Sequence, residues 1–259
     1  MIRFSKMHEN GNDFIILADP RSQLPLDPGR LAELMCARRF SVGADALITL
    51  ENGGENRFLM DIYRQDGYIA DAEGCGVCSA ARWLYEHHWV NVNEFIIETL
   101  RPDGRRLTQR VSLNLQRGIV TACSVRFEAP RRSLPEPGAA VVTMDSAHLV
   151  LAADPGTGAW PDEEDLAQHY PEGTFTDIIL VTREENGDLR IRCSAAQGEL
   201  PSSVCAAAAA CVSGLTGPAA AEQTVQTAGG KLIVYADRET GAVTVSCQPV
   251  TVFTGELAV

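Results

Sequence analysis

The stretch from Cys75 to Trp89, CGVCSAARWLYEHHW, decides how the chain is read. Its first turns consist of Cys, Val, Ser and Ala and are small or apolar on most faces, which predicts a thin, buried helix. A second stretch of the same kind, VCAAAAACVSGL from Val204 to Leu215, lies about half a chain later. A curved sheet can wrap closely around a thin helix, so each half is expected to carry one at its centre.

Short alternating runs flank both helices. Ile2 to Met7, Phe14 to Ala18, Ala46 to Leu50, Phe58 to Tyr63 and Glu94 to Leu100 read as strands bounded by Gly, Asn, Asp or Pro, with an amphipathic helix at Leu31 to Arg39. The second half repeats the plan with a strand-like Val141 to Leu151, a helix-like Glu163 to Tyr170, and strands at Thr176 to Thr182 and Leu189 to Ser194. After its small-residue helix come strands at Gln223 to Thr227, Lys231 to Tyr235, Val243 to Cys247 and Thr251 to Thr254. Three prolines and a basic pair in EAPRRSLPEPG, Glu128 to Gly138, mark the join. The expected fold is α+β: two pseudo-symmetric domains, each a curved mixed or antiparallel sheet wrapped around a central helix. Residues 1–128 form the first and 129–248 the second, with a final strand in 249–259 returning to the first. A ligand is expected between them.

The length agrees: 259 residues correspond to about 1.7 typical domains. A composition of 45% hydrophobic and 22% charged residues excludes a disordered or fibrous chain. Against 34 acidic residues stand 22 basic ones, and a net charge of −12 repels phosphate backbones and anionic membranes, so no nucleic-acid partner is expected. The eight cysteines are spread over a chain too long to need staples. With no leader-like segment and no apolar run near about 18 residues, a reduced, cytoplasmic protein without a membrane partner is expected, as monomer or homodimer.

Three local features carry chemistry. In DAEGCGVC, Asp71 to Cys78, two carboxylates and a glycine-spaced turn open into the first small-residue helix, whose N–H groups and dipole favour an anion. Glu73 there is a candidate base, although as bare sequence Asp71 or Glu73 reads first as a helix cap. In GELPSSVC, Gly198 to Cys205, Ser203 is likewise a helix cap by default, and only the symmetry with the first helix raises a ligand-binding reading. Cys75 and Cys78 form a C-x-x-C at a helix opening, where a thiolate is stabilised. No second C-x-x-C completes four zinc ligands, so no metal is expected. Cys36, Cys123, Cys193 and Cys247 read as small core residues, and His87 and His88 as partners of helix-terminal carbonyls.

These residues also resemble a known family. FSKMHENGNDF, Phe4 to Phe14, is similar to the F-x-K-M-H-G-x-G-N-D-F opening of diaminopimelate epimerases. Asp66-Gly67 and the run from Glu73 to Leu84 resemble the family's D-G…C-G-N-G-V-R-C-A-A-R-x-L without gaps. Tyr170 to Thr174, Met144 to His148, Gly198-Glu199 and Phe253 to Glu256 resemble F-P-E-R-T, M-G-N-P-H, G-E-T and the closing motif, so the likeness spans the chain. It implies two pseudo-symmetric domains with the site between them. The implied chemistry is cofactor-free proton exchange at an amino-acid α-carbon by one Cys from each domain, with both helix N-termini holding the substrate carboxylate.

Both catalytic thiol positions are changed here. The first falls on Glu73 and the second on Ser203, while Cys75 and Cys205 replace the family's Asn and Thr, and Val204 and Ala206 its two glycines. Ala46, Arg64, Ser146, Phe175, Ser194 and Ala195 stand at further substrate-gripping positions. The resemblance thus implies a cofactor-independent isomerase or epimerase-like enzyme for a small amino- or carboxylic-acid substrate other than diaminopimelate. Glu73 would be its general acid/base, as a single Glu is in phenazine-biosynthesis isomerases of this fold, and Ser203 a hydrogen-bond donor. Asn12, Arg64, Gly74, Cys75, Gly76, Val204 and Cys205 would line the substrate. An Arg64–Glu73 charge pair would fit a ligand of mixed charge. Two alternatives stay open: a binding protein that has lost catalysis, and thiol chemistry by Cys75 and Cys205.

Overall fold

A computed structural model describes residues 1–18, 23–70, 76–144, 146–153, 160, 170, 175–195, 198–217 and 220–258. They fall into two units, Met1–Val125 with Cys247–Val259, and Arg126–Ser246.

Unit 1 begins with strands β1 (Ile2–Glu9) and β2 (Asn12–Leu17). Asn10 and Gly11 both take positive φ, 48° and 91°, the Asn-Gly turn whose twist suits a tight hairpin. That turn sets Glu9 opposite Asn12. Helix α1 (Pro28–Met35) follows, with proline in its first turn and Asp27 accepting the Gly29 N–H at 2.9 Å. Then come β3 (Ala46–Gly54), β4 (Arg57–Arg64), α2 (Val77–Glu86), β5 (Glu94–Leu100), β6 (Arg106–Gln116) and β7 (Ile119–Phe127). The last strand of the chain, β17 (Val250–Leu257), pairs antiparallel with β1. Helix α1 packs its Leu31, Ala32 and Met35 on Ile15, Leu17, Leu47 and Tyr63.

Unit 2 contains β8 (Arg131–Glu136), β9 (Ala139–Thr143), β10 (Ala147–Ala152), β11 (Asp177–Arg183), β12 (Leu189–Ala195), β13 (Gly198–Leu200), α3 (Val204–Val212), β14 (Glu222–Thr227), β15 (Gly230–Ala236) and β16 (Val243–Cys247). Residues Val204 to Cys211 of α3 are all buried, against β9, β10, β11, β12 and β15. No side chain in that run is larger than valine, which is what lets strands approach from several directions.

The two units use one pairing scheme. In unit 1, β1–β2 is antiparallel, β2–β3 parallel, β3–β4 antiparallel, β4–β5 parallel and β5–β6 antiparallel. In unit 2 the same alternation runs through β9–β10, β10–β11, β11–β12, β12–β14 and β14–β15. Each small-residue helix is the crossover of the second parallel pair, α2 between β4 and β5 and α3 between β12 and β14. This is the α+β plan expected, and no helix of the described residues is long and apolar enough to cross a membrane.

Several boundaries differ from expectation. The run from Val141 to Leu151 is not one strand but the hairpin β9–β10, because Met144 donates its N–H to the Ser146 carbonyl and turns the chain. The proline-rich EAPRRSLPEPG contains strand β8, exposed throughout and paired with β9; proline is compatible with a strand at such an edge. Helix α1 stops at Met35 and α2 at Glu86, where His88 takes a left-handed φ of 59°. The helix expected at Glu163 lies outside the described residues except for Tyr170.

Charge pins the parallel start of β2 and β3. Asp13 receives Lys6 Nζ at 2.6 Å and Arg38 Nη2 at 2.6 Å, and exchanges backbone-to-carboxylate bonds with Asp45 at 2.9 and 3.0 Å. Burial alone would raise the Asp13 carboxyl, but the Arg38 and Lys6 hydrogen bonds outweigh it and hold it at about 2. A carboxylate depressed in the folded state stabilises above its unfolded value and loses that contribution as pH falls through the folded one. Replacing Asp13 with Asn is therefore expected to lower stability by about 2 kcal/mol at pH 7. Urea unfolding of wild type and variant should converge as pH drops from about 4 toward 2.

Candidate active site

Helix α2 starts without a capping side chain of its own. Its N-cap is Gly76, at φ 71°, and a Cβ there would stand 2.6 Å from Ile48 Cδ1, so only glycine fits. Glu9 supplies the cap from the end of β1: its Oε1 accepts the Gly76 N–H at 2.8 Å, and its Oε2 accepts the Ser79 N–H at 3.1 Å and the Ser79 hydroxyl at 3.2 Å. One carboxylate thus does both halves of a capping box, satisfying the N-cap and N3 donors from a distant strand. Glu9 is only 4% exposed, and burial pushes its carboxyl up to about 7 against the Gly76 and Ser79 bonds that pull it down.

Two thiols lie against the same carboxylate. Cys78 is the second residue of α2, Cys247 the last of β16, and their sulfurs and a Glu9 oxygen all lie within 4.8 Å of one another. A hydrogen bond to Cys247, together with burial, pushes the Cys78 thiol well above its ordinary range, so it is protonated. The C-x-x-C stretch therefore presents no thiolate at Cys78.

Glu73, Gly74 and Cys75 lie outside the described residues; α2 begins directly after them. Asn12 is buried and sits across the hairpin from Glu9. Arg64 has a partner in its own turn. Its guanidinium grips Asp66 in the same turn, Nε to Oδ1 at 3.1 Å and Nη2 to Oδ2 at 2.6 Å, in a partly exposed pair.

In unit 2, Ser203 is the N-cap of α3, extended at φ −152° and ψ 127°, and its Oγ accepts the Ala206 N–H at 3.1 Å. Val204 and Cys205 are buried in the first turn. Glu199 in the preceding strand is clamped by Arg192 through two bonds of 2.7 Å, under a cation–π contact of Arg192 with Trp160 at 4.7 Å. His148 Nδ1 lies 2.7 Å from Asp177, which also accepts a 3.6 Å bond from the Cys193 thiol. Both helix openings are thus built, α3 from its own serine and α2 from a borrowed carboxylate.

Glu9 was not singled out by the sequence reading. The signal was present: F-x-K-M-H-G-x-G-N-D-F has glycine where this chain has Glu9. Nothing local says that this carboxylate is buried, since its partners lie 67 and 70 residues away.

Residues 4–111 match the sequence profile of the family described as diaminopimelate epimerase. A diaminopimelate epimerase from Pelotomaculum thermopropionicum is 31% identical over 214 residues, covering 73% of this chain and 75% of that protein. Among solved structures, a predicted epimerase from Pseudomonas aeruginosa is similar at a TM-score of 0.74 and 14% identity, with all of both chains covered. A phenazine biosynthesis protein of the PhzF family from Bacillus anthracis is similar at a TM-score of 0.69 and 14% identity, covering 100% of this chain and 99% of that one. At these identities the structures speak for the fold.

Gly76 gives a direct test of the α2 opening. Gly76→Ala is expected to lower stability by about 2 to 4 kcal/mol in urea unfolding, from left-handed strain plus the clash with Ile48. Gly104→Ala, at φ 82° with nothing within 4 Å, should cost only about 1 kcal/mol.

Proposed function

The chain belongs to the diaminopimelate epimerase family, and from that premise we propose that it is a cofactor-independent isomerase acting by proton transfer on a small amino- or carboxylic acid other than diaminopimelate. The observation that carries this reading is the gapless alignment from Glu73 to Leu84, which puts a carboxylate at the base position immediately before α2. Glu73 lifts the proton from a carbon beside the substrate carboxylate and returns it to that carbon or to a neighbouring one. For this the Glu73 carboxyl must sit nearer neutrality than an exposed one, a shift that burial of a carboxyl produces in general. Helix N–H groups facing the substrate carboxylate stabilise the charge that develops as the proton leaves.

Ser203 has no accessible ionisation near neutral pH and so does not serve as a second base. Its oxygen takes the Ala206 N–H, and its own O–H is able to donate to substrate or to a positioned water. Single-carboxylate chemistry of this kind favours isomerisation or tautomerisation over two-base inversion. Replacement of the thiol bases and of most substrate-gripping positions argues against diaminopimelate itself.

The test is solvent exchange. Wild-type protein incubated in deuterium oxide with a panel of small amino and carboxylic acids is expected to deuterate one class at carbon, read by proton NMR. Glu73→Gln should reduce that exchange by about 10²- to 10⁴-fold while the circular dichroism spectrum is unchanged. Undiminished exchange in Glu73→Gln overturns the assignment, and absence of exchange across the panel favours the non-catalytic reading. Inactivation by iodoacetamide that substrate blocks would move the chemistry to Cys75 or Cys205.

A further inference from the structure

The cluster beneath the start of α2 asks for more than a helix cap. Glu9, Cys78 and Cys247 reach it from the end of β1, the first turn of α2 and the last residue of β16, and all three are buried. A cap needs only the carboxylate. One thiol against a buried carboxylate is a weak hydrogen bond, as Cys193 makes to Asp177, but two thiols converging with a carboxylate form a ligand set. Among the described residues no lysine, arginine or histidine bonds to Glu9; its hydrogen bonds come from Gly76 and Ser79 alone. A buried carboxylate lacking a cation is costly, and two adjacent thiols are the donors that bring one in when they ionise.

We propose that Glu9, Cys78 and Cys247 form a three-ligand binding site for a thiophilic divalent cation, with Zn²⁺ as the best fit. Zinc–sulfur bonds of about 2.3 Å and a zinc–oxygen bond of about 2.0–2.2 Å in tetrahedral geometry put ligand atoms roughly 3.5–4 Å apart. The three donors, mutually within 4.8 Å, need only small side-chain shifts to meet that. The outer shell is already built, since the Gly76 and Ser79 N–H groups and the Ser79 hydroxyl orient the Glu9 oxygens as second-shell donors orient a metal-bound carboxylate. On binding, each thiol releases one proton to solvent and becomes a thiolate ligand, Glu9 binds as carboxylate, and no electron is transferred. Three anions around a dication leave one negative charge, placed where the α2 dipole favours it. Among the described residues these three are the donors, which leaves a fourth tetrahedral position for a further ligand. The inference is independent of the catalytic role of Glu73.

C-x-x-C spacing does not disclose this site, because such patterns register only ligands close in sequence. The experiment uses the full-length protein, reduced and stripped by chelator, titrated with Zn²⁺ alone and, separately, with Co²⁺. One Zn²⁺ per chain is expected, with proton release, and Co²⁺ should give a thiolate-to-metal charge-transfer band that Zn²⁺ abolishes. Cys247→Ser and Cys78→Ser should each weaken Zn²⁺ binding at least about a hundredfold, more than the loss of an outer-shell partner does. Cys193→Ser, in unit 2, should bind like wild type. Stoichiometric binding that survives in both Cys78→Ser and Cys247→Ser overturns the proposal, and so does a wild-type chain that takes up no Zn²⁺. If neither variant folds, wild type decides by alkylation of the native protein mapped to peptides: Zn²⁺ must slow modification of Cys78 and Cys247 together, and equal rates with and without it overturn the site.

Discussion

The carboxylate of Glu9 fastens two parts of unit 1 that the chain brings together only by folding: the tight β1–β2 hairpin and the first turn of α2. An α-helix begins with N–H groups that have no partner within it, and a buried helix has no water to satisfy them. Glycine at position 76 is required by the backbone angle and by Ile48, so the helix can supply no side chain at its own N-cap. The donor deficit has to be met from elsewhere, and Glu9 meets it twice. In the sequence, Glu73 stands three residues before Gly76, the N-cap of the helix end held in this way.

The second constraint is size. Each unit closes strands around one helix, and the helices meet it differently. α3 is built from alanines with cysteine and valine at its ends and is buried on every side along Val204 to Cys211. α2 is small only in its first turns and then widens to Trp83, whose indole N–H finds the Ser5 hydroxyl at 2.9 Å. Trp83 also stacks on His87, whose Nδ1 lies 2.9 Å from the Trp83 carbonyl at the helix end. Thin where strands must crowd and broad where polar partners exist, the helices follow the space that the common pairing scheme leaves them.

What the sequence discloses follows from how local each cause is. The small-residue helices, most of the alternating strands and the Ser203 cap are written within a few residues, and the structure has them there with shifted ends. The β9–β10 turn was missed because apolar residues continue on both sides of it, and β8 because its prolines look like a linker until β9 lies beside them. Within the site, the Arg64–Asp66 pair is local, two residues apart, and legible as such. Glu9 and Cys247 were opaque for the opposite reason: a Glu before an Asn-Gly turn reads as polar punctuation, and a Cys in an apolar strand reads as filler. Their meaning comes from each other and from Cys78, and no window along the chain contains all three.

The return of β17 to β1 bears on how the polypeptide is assembled during synthesis. Unit 2 is made from one continuous stretch and has all its strands once Ser246 has emerged. Unit 1 begins first but lacks β1's partner on one side until β17 arrives after the whole of unit 2, with Ile2 opposite Leu257. A ribosome-bound chain therefore carries β1 with one edge unpaired until β17 has been made, a template for intermolecular strand pairing. The order of completion is the reverse of the order of synthesis, and the loop closed by β1–β17 is the entropic step that the first unit must make last.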